Sequence, residues 1–240
     1  MADQSTIPLS PESQASDITE SEVLWLQNHF QFPLEYEVSV LSLEDQVVNP
    51  PDGRLAIYQD ALWGGLRFPI SKFVQNLFRF YNVVPAQLTL NSIRMVLAFA
   101  ILCFLCEVRP RVSLFRAFFM LRRNPQVEGW WCFGPRPKRA LIKGFSSSIH
   151  GWREKFFFLG SHSNWGFSTI WGEPYLEANR DDNVSDADWN DFRVLRDSVV
   201  SALSILLSER NLFNAGLSPM DSLGGQGRYQ LFLAFLFFIV

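Results

Sequence analysis

Lysine and arginine are absent from the first 53 residues, which contain ten acidic residues. The bases are instead concentrated between residues 109 and 155, where eleven of them accompany two acids. The formal net charge of −3 therefore conceals a strong segregation of charge along the chain. Two interpretations are open: the acidic segment screens the basic one within the same molecule, or the basic segment forms a surface for nucleic acid.

Cysteine is also scarce, with three residues in the chain. So few cysteines exclude a disulfide framework, and no secretory leader opens the sequence, so we expect an intracellular protein with free thiols. Cys103 and Cys106 have the spacing of a metal or redox pair, but they lie in an apolar helical run and no second Cys/His pair accompanies them. We interpret them as buried thiols and predict no metal and no cofactor.

Long hydrophobic runs are missing as well. The apolar run from Met95 to Cys106 has 12 residues and the run that ends the chain, Leu231 to Val240, has ten, whereas a helix needs about 20 to cross a bilayer. The sequence therefore predicts no membrane span. We also expect that the C-terminal tail, residues 211–240, reflects a truncated gene model.

Catalytic signatures are absent too: there is no Asp-Ser/Thr-Gly motif, no G-x-S-x-G and no phosphate-binding glycine loop. A divalent-metal nuclease needs converging carboxylates. We interpret the acids between residues 52 and 159 as surface or capping groups, and the pair Asp181-Asp182 as part of a polar linker. We predict no catalytic residue; a degenerate divalent-metal transposase or nuclease remains the enzymatic alternative. The acids between residues 52 and 159 are Asp52, Asp60, Glu107, Glu128 and Glu154.

Apolar and aromatic residues, by contrast, are plentiful, and phenylalanine alone occurs 23 times. Helical spacing over Ser71 to Tyr81, Ser92 to Cys106 and Leu114 to Arg123 predicts three helices that bury one another, with a further short helix at 54–63. Short aromatic runs between glycines and prolines, at 130–133, 140–142 and 152–159, predict strands. The fold class we predict is α+β: a mainly α-helical core with a small antiparallel β element and a disordered N-terminus.

The predicted organisation has six parts. A disordered acidic tail (1–20) and an acidic arm (21–49) precede a core domain (50–174), which is followed by an acidic linker (175–185), an amphipathic helix (186–210) and the C-terminal tail. The helix over 186–210 carries apolar residues on one face, which we expect to contact the core or a partner.

Several segments of the predicted core resemble one plant domain family. They are Ala56-Ile57-Tyr58, Ala61 to Pro69, Phe73-Val74, Val84 to Leu88, Trp152 to Phe158 and Trp171-Gly172, with Asn214 to Pro219 as a later echo. Together they are similar to the family called putative gypsy-type transposase, whose name records an association with plant long-terminal-repeat retrotransposons. The resemblance implies a retrotransposon-derived plant protein. It implies no catalytic residues.

Basic residues near the middle of the chain are the candidate binding residues. We predict that six of them form one phosphate-binding surface: Arg122, Arg123, Arg136, Lys138, Arg139 and Lys143. Aromatic residues interleave with them, as in proteins that stack single-stranded bases, although alternation along a strand at 152–156 would place the bases and the rings on opposite faces. The basic run Arg136 to Arg139 favours a nuclear location.

We therefore predict a non-enzymatic module that interacts with nucleic acid or with protein. Self-association or contact with another protein through the 186–210 helix is one form of this hypothesis, and a capsid-like self-assembly domain is a further alternative.

Overall fold

The computed structural model describes residues 15–39, 45–125, 128–146, 149–180, 184–198 and 202–219. Helices predominate within these ranges, and two small antiparallel sheets accompany them, which confirms the predicted α+β fold class. The α-helices are α1 (Glu20–His29), α2 (Gln59–Trp63), α3 (Lys72–Tyr81), α4 (Leu90–Leu105), α5 (Val112–Phe118), α6 (Asp186–Arg196), α7 (Leu203–Leu206) and α8 (Glu209–Asn214). The strands are β1 (Tyr36–Ser39), β2 (Arg54–Tyr58), β3 (Phe119–Arg123), β4 (Trp131–Pro135) and β5 (Phe156–Ser161).

Helix α4 is the centre of the molecule, as its apolar composition predicts. Its side chains from Met95 to Cys103 are all buried, and the helix contacts β4, α2, α3 and α7. It begins at Leu90, two residues before the start at Ser92 that the sequence predicted. Many of the phenylalanine residues pack in the core. Phe99 is fully buried, and its ring contacts those of Phe73, Phe115, Phe118 and Phe119.

A three-stranded sheet in the order β1-β5-β2 covers one side of this core. Both outer strands are antiparallel to β5, with Val38 and Leu55 each opposite Leu159. The helix predicted over 54–63 was wrong in its first half, which forms strand β2. Only the second half of the predicted segment is helical, as α2. The first half is buried on both faces, and such a segment shows no strand alternation in its sequence.

A two-stranded sheet pairs β3 with β4. The helix predicted over Leu114 to Arg123 was wrong in its second half: α5 ends at Phe118 and the chain continues as β3. Pairing with β4 makes this segment a strand. In the paired strand, Phe119 and Leu121 lie on the buried face and Met120 between them is less buried. The predicted run at 140–142 contains no strand, and the strand predicted from Trp152 begins only at Phe156.

The segment predicted as an acidic arm is part of the folded core. Val23, Leu26, Phe30 and Phe32 are all buried, and β1 is hydrogen-bonded to β5. The last residues of the predicted disordered tail are also described: the Ser16 hydroxyl donates to the Phe156 carbonyl and Ile18 is buried. Residues 1–14 of that tail lie outside the described residues.

The helix predicted over 186–210 is divided in the structure. Helix α6 ends at Arg196, and α7 and α8 follow as separate short helices, with Ser208 capping α8 through its side chain. Phe192, Leu195, Leu203 and Leu206, predicted to lie on one apolar face, are buried, while Trp189 is half exposed. In the described part of the chain, no helix is both long and apolar enough to cross a membrane.

Candidate nucleic-acid interface

Two of the six candidate bases lie at the end of β3 with exposed side chains. The Arg122 guanidinium lies beside Gly134 on the paired strand and donates to the Pro135 carbonyl at 3.1 Å. Arg123 follows on the other face of the strand, with its guanidinium carbon 5.3 Å from the centroid of the Trp131 ring. Both cations can therefore reach a ligand at this end of the sheet.

The candidates that follow β4 differ in accessibility. Lys138 and Lys143 are exposed. Arg139 is half-buried: its Nη1 donates to the Ala117 carbonyl at 2.8 Å and its guanidinium carbon lies 5.6 Å from the Phe192 ring. Arg139 thus links the end of α5 to α6, and only part of its side chain faces solvent.

Arg136 has a structural role. Its side chain is buried, with Nε donating to the Arg116 carbonyl at 2.6 Å and Nη1 to the Asn179 carbonyl at 3.1 Å. Its backbone N–H donates to the Phe118 carbonyl, where α5 passes into β3. Because the guanidinium donates to backbone carbonyls, Arg136 cannot contact phosphate, and its prediction as a phosphate-binding residue is corrected.

A polar cavity of about 440 Å³ lies beside the same two-stranded sheet. Three parts of the chain surround it: the start of α4, strand β4 with the loop before it, and the loop that leads to β5. None of the described residues that line it has a carboxylate group. Its lining includes Thr89, Asn91, Asn124, Cys132, Phe133, Pro135, Phe145, His150, Trp152 and Arg153.

Arg153 and Asn91 give this cavity its chemical character. Arg153 Nη1 and Asn91 Oδ1 are both buried, and neither has a hydrogen-bond partner among the described residues. Asn91 Nδ2 does have one, because it donates to the Ser146 carbonyl at 2.9 Å, and this bond fixes the orientation of the amide. The Arg153 guanidinium carbon lies 5.1 Å from the Trp130 ring centroid and 6.0 Å from that of Trp152.

The interleaved aromatic residues divide into two groups. Trp130, Trp131, Phe133 and Phe156 are buried and belong to the core. Phe145 and Trp152 are half-buried and line the cavity. The alternation predicted over 152–156 does not apply, because residues 152–154 form a turn rather than part of β5. Arg153 and Trp152 therefore lie against each other at the cavity instead of on opposite faces of a strand.

Cys132 is the one thiol that lines the cavity. Burial raises the pKa of the Cys132 thiol, and the nearby Arg122 cation lowers it only in part. At neutral pH the thiol stays protonated, and a protonated thiol is a poor nucleophile. The chemistry of the cavity thus favours binding over covalent catalysis.

The comparison with known proteins agrees with the resemblance seen in the sequence. Residues 56–123 match the model of the family described as "Putative gypsy type transposon". The predicted family resemblance is confirmed over this segment. The segment runs from within β2 to the end of β3, so the gypsy-type match includes Asn91, Arg122 and Arg123, whereas Trp152 and Arg153 lie beyond it.

A relative is known from Arabidopsis thaliana. It is an uncharacterized protein whose name describes it as chloroplastic, and it is 28% identical to this chain over 122 residues. The aligned region covers 50% of this chain but 15% of the relative, so the chain spans only a small part of that protein's length. No solved structure matches the chain.

The acids considered for a transposase reaction are dispersed. Asp60 lies in the first turn of α2, Glu107 follows the end of α4 and Glu154 lies in the turn before β5. No three His, Cys, Asp or Glu side chains converge on a possible metal position within the part of the chain that the structure describes. Asp181 and Asp182 lie outside that part.

Aromatic side chains are also exposed at a second place, on α1 and α2. Trp25 and Trp63 are each about half exposed, with ring centroids 6.0 Å apart, and His29 stacks on Trp25 at 4.5 Å. Leu24, which precedes Trp25 in the sequence of α1, is 51% exposed. This aromatic patch was missed by sequence reasoning, because Trp25 and Trp63 are distant in sequence and become neighbours only when α1 packs on the core.

Proposed function

We propose that the chain is a non-enzymatic nucleic-acid-binding module of a retrotransposon-derived plant protein. The observation that supports it best is the position of exposed Arg122 and Arg123 at the end of β3, beside a cavity whose described lining residues include an arginine and have no carboxylate. Lys138 and Lys143 are exposed as well, and we include them in the proposed surface. Cations that contact phosphates release bound counterions, which drives association without requiring a particular base sequence.

The test is a salt titration of binding. Labelled DNA and RNA oligonucleotides are titrated with the full chain by fluorescence anisotropy at several salt concentrations. Each phosphate contact contributes about −0.7 to −0.9 to the slope of log K against log salt. Arg122→Gln combined with Arg123→Gln should weaken binding of every sequence alike and flatten that slope by about 1.5.

The matched control is Lys72→Gln combined with Arg79→Gln, which removes the same charge from exposed positions on α3. This control should bind with the wild-type slope. If the wild-type chain shows no salt-dependent binding at low ionic strength, or if both double variants weaken it equally, the assignment of the surface to β3 is refuted.

A nuclear location would accompany this function. The basic run from Arg136 to Arg139 motivates this prediction, although Lys138 is its one exposed base, since Arg136 is buried and Arg139 is half-buried. A fluorescent fusion expressed in plant cells should accumulate in the nucleus, and a fusion confined to another compartment would contradict the proposal.

A second candidate function is self-association through the aromatic patch of Trp25, Trp63 and Leu24. Glu20, in the first turn of the same helix α1, is exposed, so the surface that complements this face is basic, and a second copy of this chain carries such a surface. Light scattering across a range of protein concentrations should show a dimer that dissociates as salt rises. Trp25→Ala combined with Trp63→Ala should abolish it.

Trp189→Ala distinguishes the patch from the surface predicted on the 186–210 segment. Trp189 lies on α6 and is half exposed, like the two tryptophans of the patch. If Trp189→Ala alone dissociates the dimer, association belongs to α6, and if the chain is monomeric at all concentrations, this second function is refuted.

A further inference from the structure

The cavity beside β4 has the size and lining of a ligand site rather than of a packing defect. Its volume of about 440 Å³ falls within the range of small-molecule pockets, about 300–1,000 Å³. A second cavity of about 330 Å³, near the other end of α4, is lined mainly by apolar side chains such as Phe73, Phe104 and Leu217. Only the first combines a cation, amides and partly buried rings.

We infer that this cavity holds one unpaired nucleotide of a single-stranded nucleic acid, with the base against Trp152 and the sugar-phosphate towards Arg153 and the exposed end of β3. The inference rests on the proposed function and specifies its ligand: a strand whose bases are free to leave the stack.

The position of Trp152 supports the stacking contact. Its ring meets the buried Tyr58 ring edge-on, with centroids 4.7 Å apart and an interplanar angle of 79°, which holds the indole in place. It is half-buried, so part of the ring remains accessible, and it lines the cavity together with Phe145. Every base has a π-face, so stacking on such a ring tolerates any sequence.

The polar groups favour a ligand that both accepts and donates hydrogen bonds. Arg153 Nη1 is a donor without a partner and suits a phosphate or a carbonyl oxygen. Asn91 Oδ1 is an acceptor without a partner, and the phosphodiester group of a nucleic-acid backbone, which has no hydrogen to donate, cannot satisfy it. A nucleotide whose base has an exocyclic amino group can satisfy both residues, because the amino group donates to Asn91 Oδ1 while a phosphate oxygen accepts from Arg153 Nη1.

The shape of the site favours an unpaired base over a duplex. The lining comes from the start of α4, from β4 and from the loop before β5, three segments that surround a half-open cavity. A paired base presents only its edges in the grooves, whereas an unpaired base can turn away from the backbone and enter such a pocket.

The experiment compares one sequence in two forms: a labelled 12-nucleotide strand and the blunt duplex of the same sequence. The wild-type chain should bind the strand more tightly at matched salt. Trp152→Leu should weaken strand binding about tenfold, within the range expected for one lost stacking contact, and leave duplex affinity and the salt slope unchanged. Trp152→Phe, which keeps an aromatic face, should retain most of the affinity.

Trp189→Leu on α6 is the matched control, and circular dichroism checks that each variant folds. If Trp152→Leu does not fold, Phe145→Leu replaces it, with the same expectation of weaker strand binding. A separate thermal-shift measurement uses a nucleoside monophosphate and inorganic phosphate. Only the nucleotide should stabilise the wild-type chain, and Trp152→Leu or Phe145→Leu should remove that shift.

Three results would overturn the inference. The first is equal affinity for strand and duplex, and the second is an unchanged strand affinity in a folded Trp152→Leu or Phe145→Leu variant. The third is an equal thermal shift from inorganic phosphate. Each would show that the cavity does not bind a base. If salt-dependent binding persists in these cases, the proposed function stands and only the nucleotide site fails. If no nucleic acid binds at low ionic strength, both fail.

Discussion

Arginine side chains have two distinct roles in the basic segment. Some are structural: Arg136 bonds to backbone carbonyls at the α5-β3 junction, and Arg111 forms ion pairs at 2.6 Å with both Asp188 and Asp191 of α6. Others, such as Arg122 and Arg123, are exposed at the end of a strand. A planar guanidinium with five donors can satisfy several carbonyls at once, which explains why the buried positions use arginine rather than lysine.

Replacing Arg136 by alanine should destabilise the protein by about 2–4 kcal/mol, because two partly buried carbonyls lose their donors and the packing of a buried side chain is lost. Arg122→Ala, at an exposed position, should change stability by less than about 0.5 kcal/mol. Urea unfolding followed by circular dichroism measures both. If the two variants were equally stable, the buried guanidinium would not hold the junction.

The Glu22–Lys155 ion pair gives folding stability a pH dependence. The hydrogen bond from Lys155, with others from Thr19, lowers the pKa of Glu22 from 4.5 to about 2. A carboxylate with a depressed folded pKa stabilises the fold above its unfolded pKa, and the contribution is lost as the pH falls towards the folded value. The Tm advantage of wild type over Glu22→Gln should therefore be constant above pH 5 and shrink between pH 4.5 and about 2.

The control for this experiment is Glu20→Gln, an exposed position in the same first turn of α1. Its Tm should follow that of the wild type throughout the same range. An advantage of wild type over Glu22→Gln that persists unchanged at pH 2 would show that the pair does not link α1 to the residues before β5.

At the scale of elements, α4 determines whether the chain folds at all. Leu97→Asp or Ile101→Asp places an unpaired carboxylate in the core, which costs several kcal/mol and should prevent soluble folding. Leu105→Asp, on the same helix but 42% exposed, should be tolerated. Soluble yield and the circular dichroism spectrum distinguish these outcomes, and a soluble, folded Leu97→Asp variant would show that α4 is peripheral.

The sequence was sufficient for elements whose pattern is local. Helix α3 has its apolar residues at helical spacing, and α4 is apolar along its buried length, so both could be located from the chain alone. Strand β3 could not, because Phe118, Phe119 and Leu121 fit a helix as well as a strand until β4 pairs with them. The same limit applies to β2, whose partner β5 lies about a hundred residues later.

The candidate site was predictable in its charge but not in its assembly. The excess of bases over 109–155 can be counted in the sequence, and exposed Arg122 and Arg123 are consistent with it. Nothing in the local sequence distinguishes buried Arg136 from exposed Lys138 two residues later. Asn91 and Arg153 meet at one cavity only through the packing of α4 against the loop before β5.

At the scale of the whole molecule, the acidic N-terminal segment is a structural component. Glu22 pairs with Lys155 and Glu37 with Arg54, neither of which belongs to the six candidate bases. Its apolar residues enter the core, and its strand β1 forms one edge of the sheet. Residues 1–53 therefore cannot be removed to expose a basic face without also removing part of the fold.

Two point variants test this conclusion. Phe32, 6% exposed, contacts the Phe68 and Phe157 rings, so Phe32→Ala should cost about 3–5 kcal/mol of unfolding free energy. Leu34, two residues later, is fully exposed, and Leu34→Ala should cost almost nothing. Deletion of residues 1–53 should leave a chain without a cooperative thermal transition. A deletion variant that melts cooperatively near the wild-type Tm would show the segment to be dispensable.

The order β1-β5-β2 has a consequence for synthesis on the ribosome. Strand β5 is the middle strand of the sheet but the last of the three to be made, and 97 residues lie between the end of β2 at Tyr58 and the start of β5 at Phe156. At about 5–20 residues per second, β1 and β2 wait roughly 5 to 20 seconds for their shared partner. During that time their unpaired backbone edges are open to other nascent chains, and the acidic residues in and around β1 oppose such pairing because like charges repel.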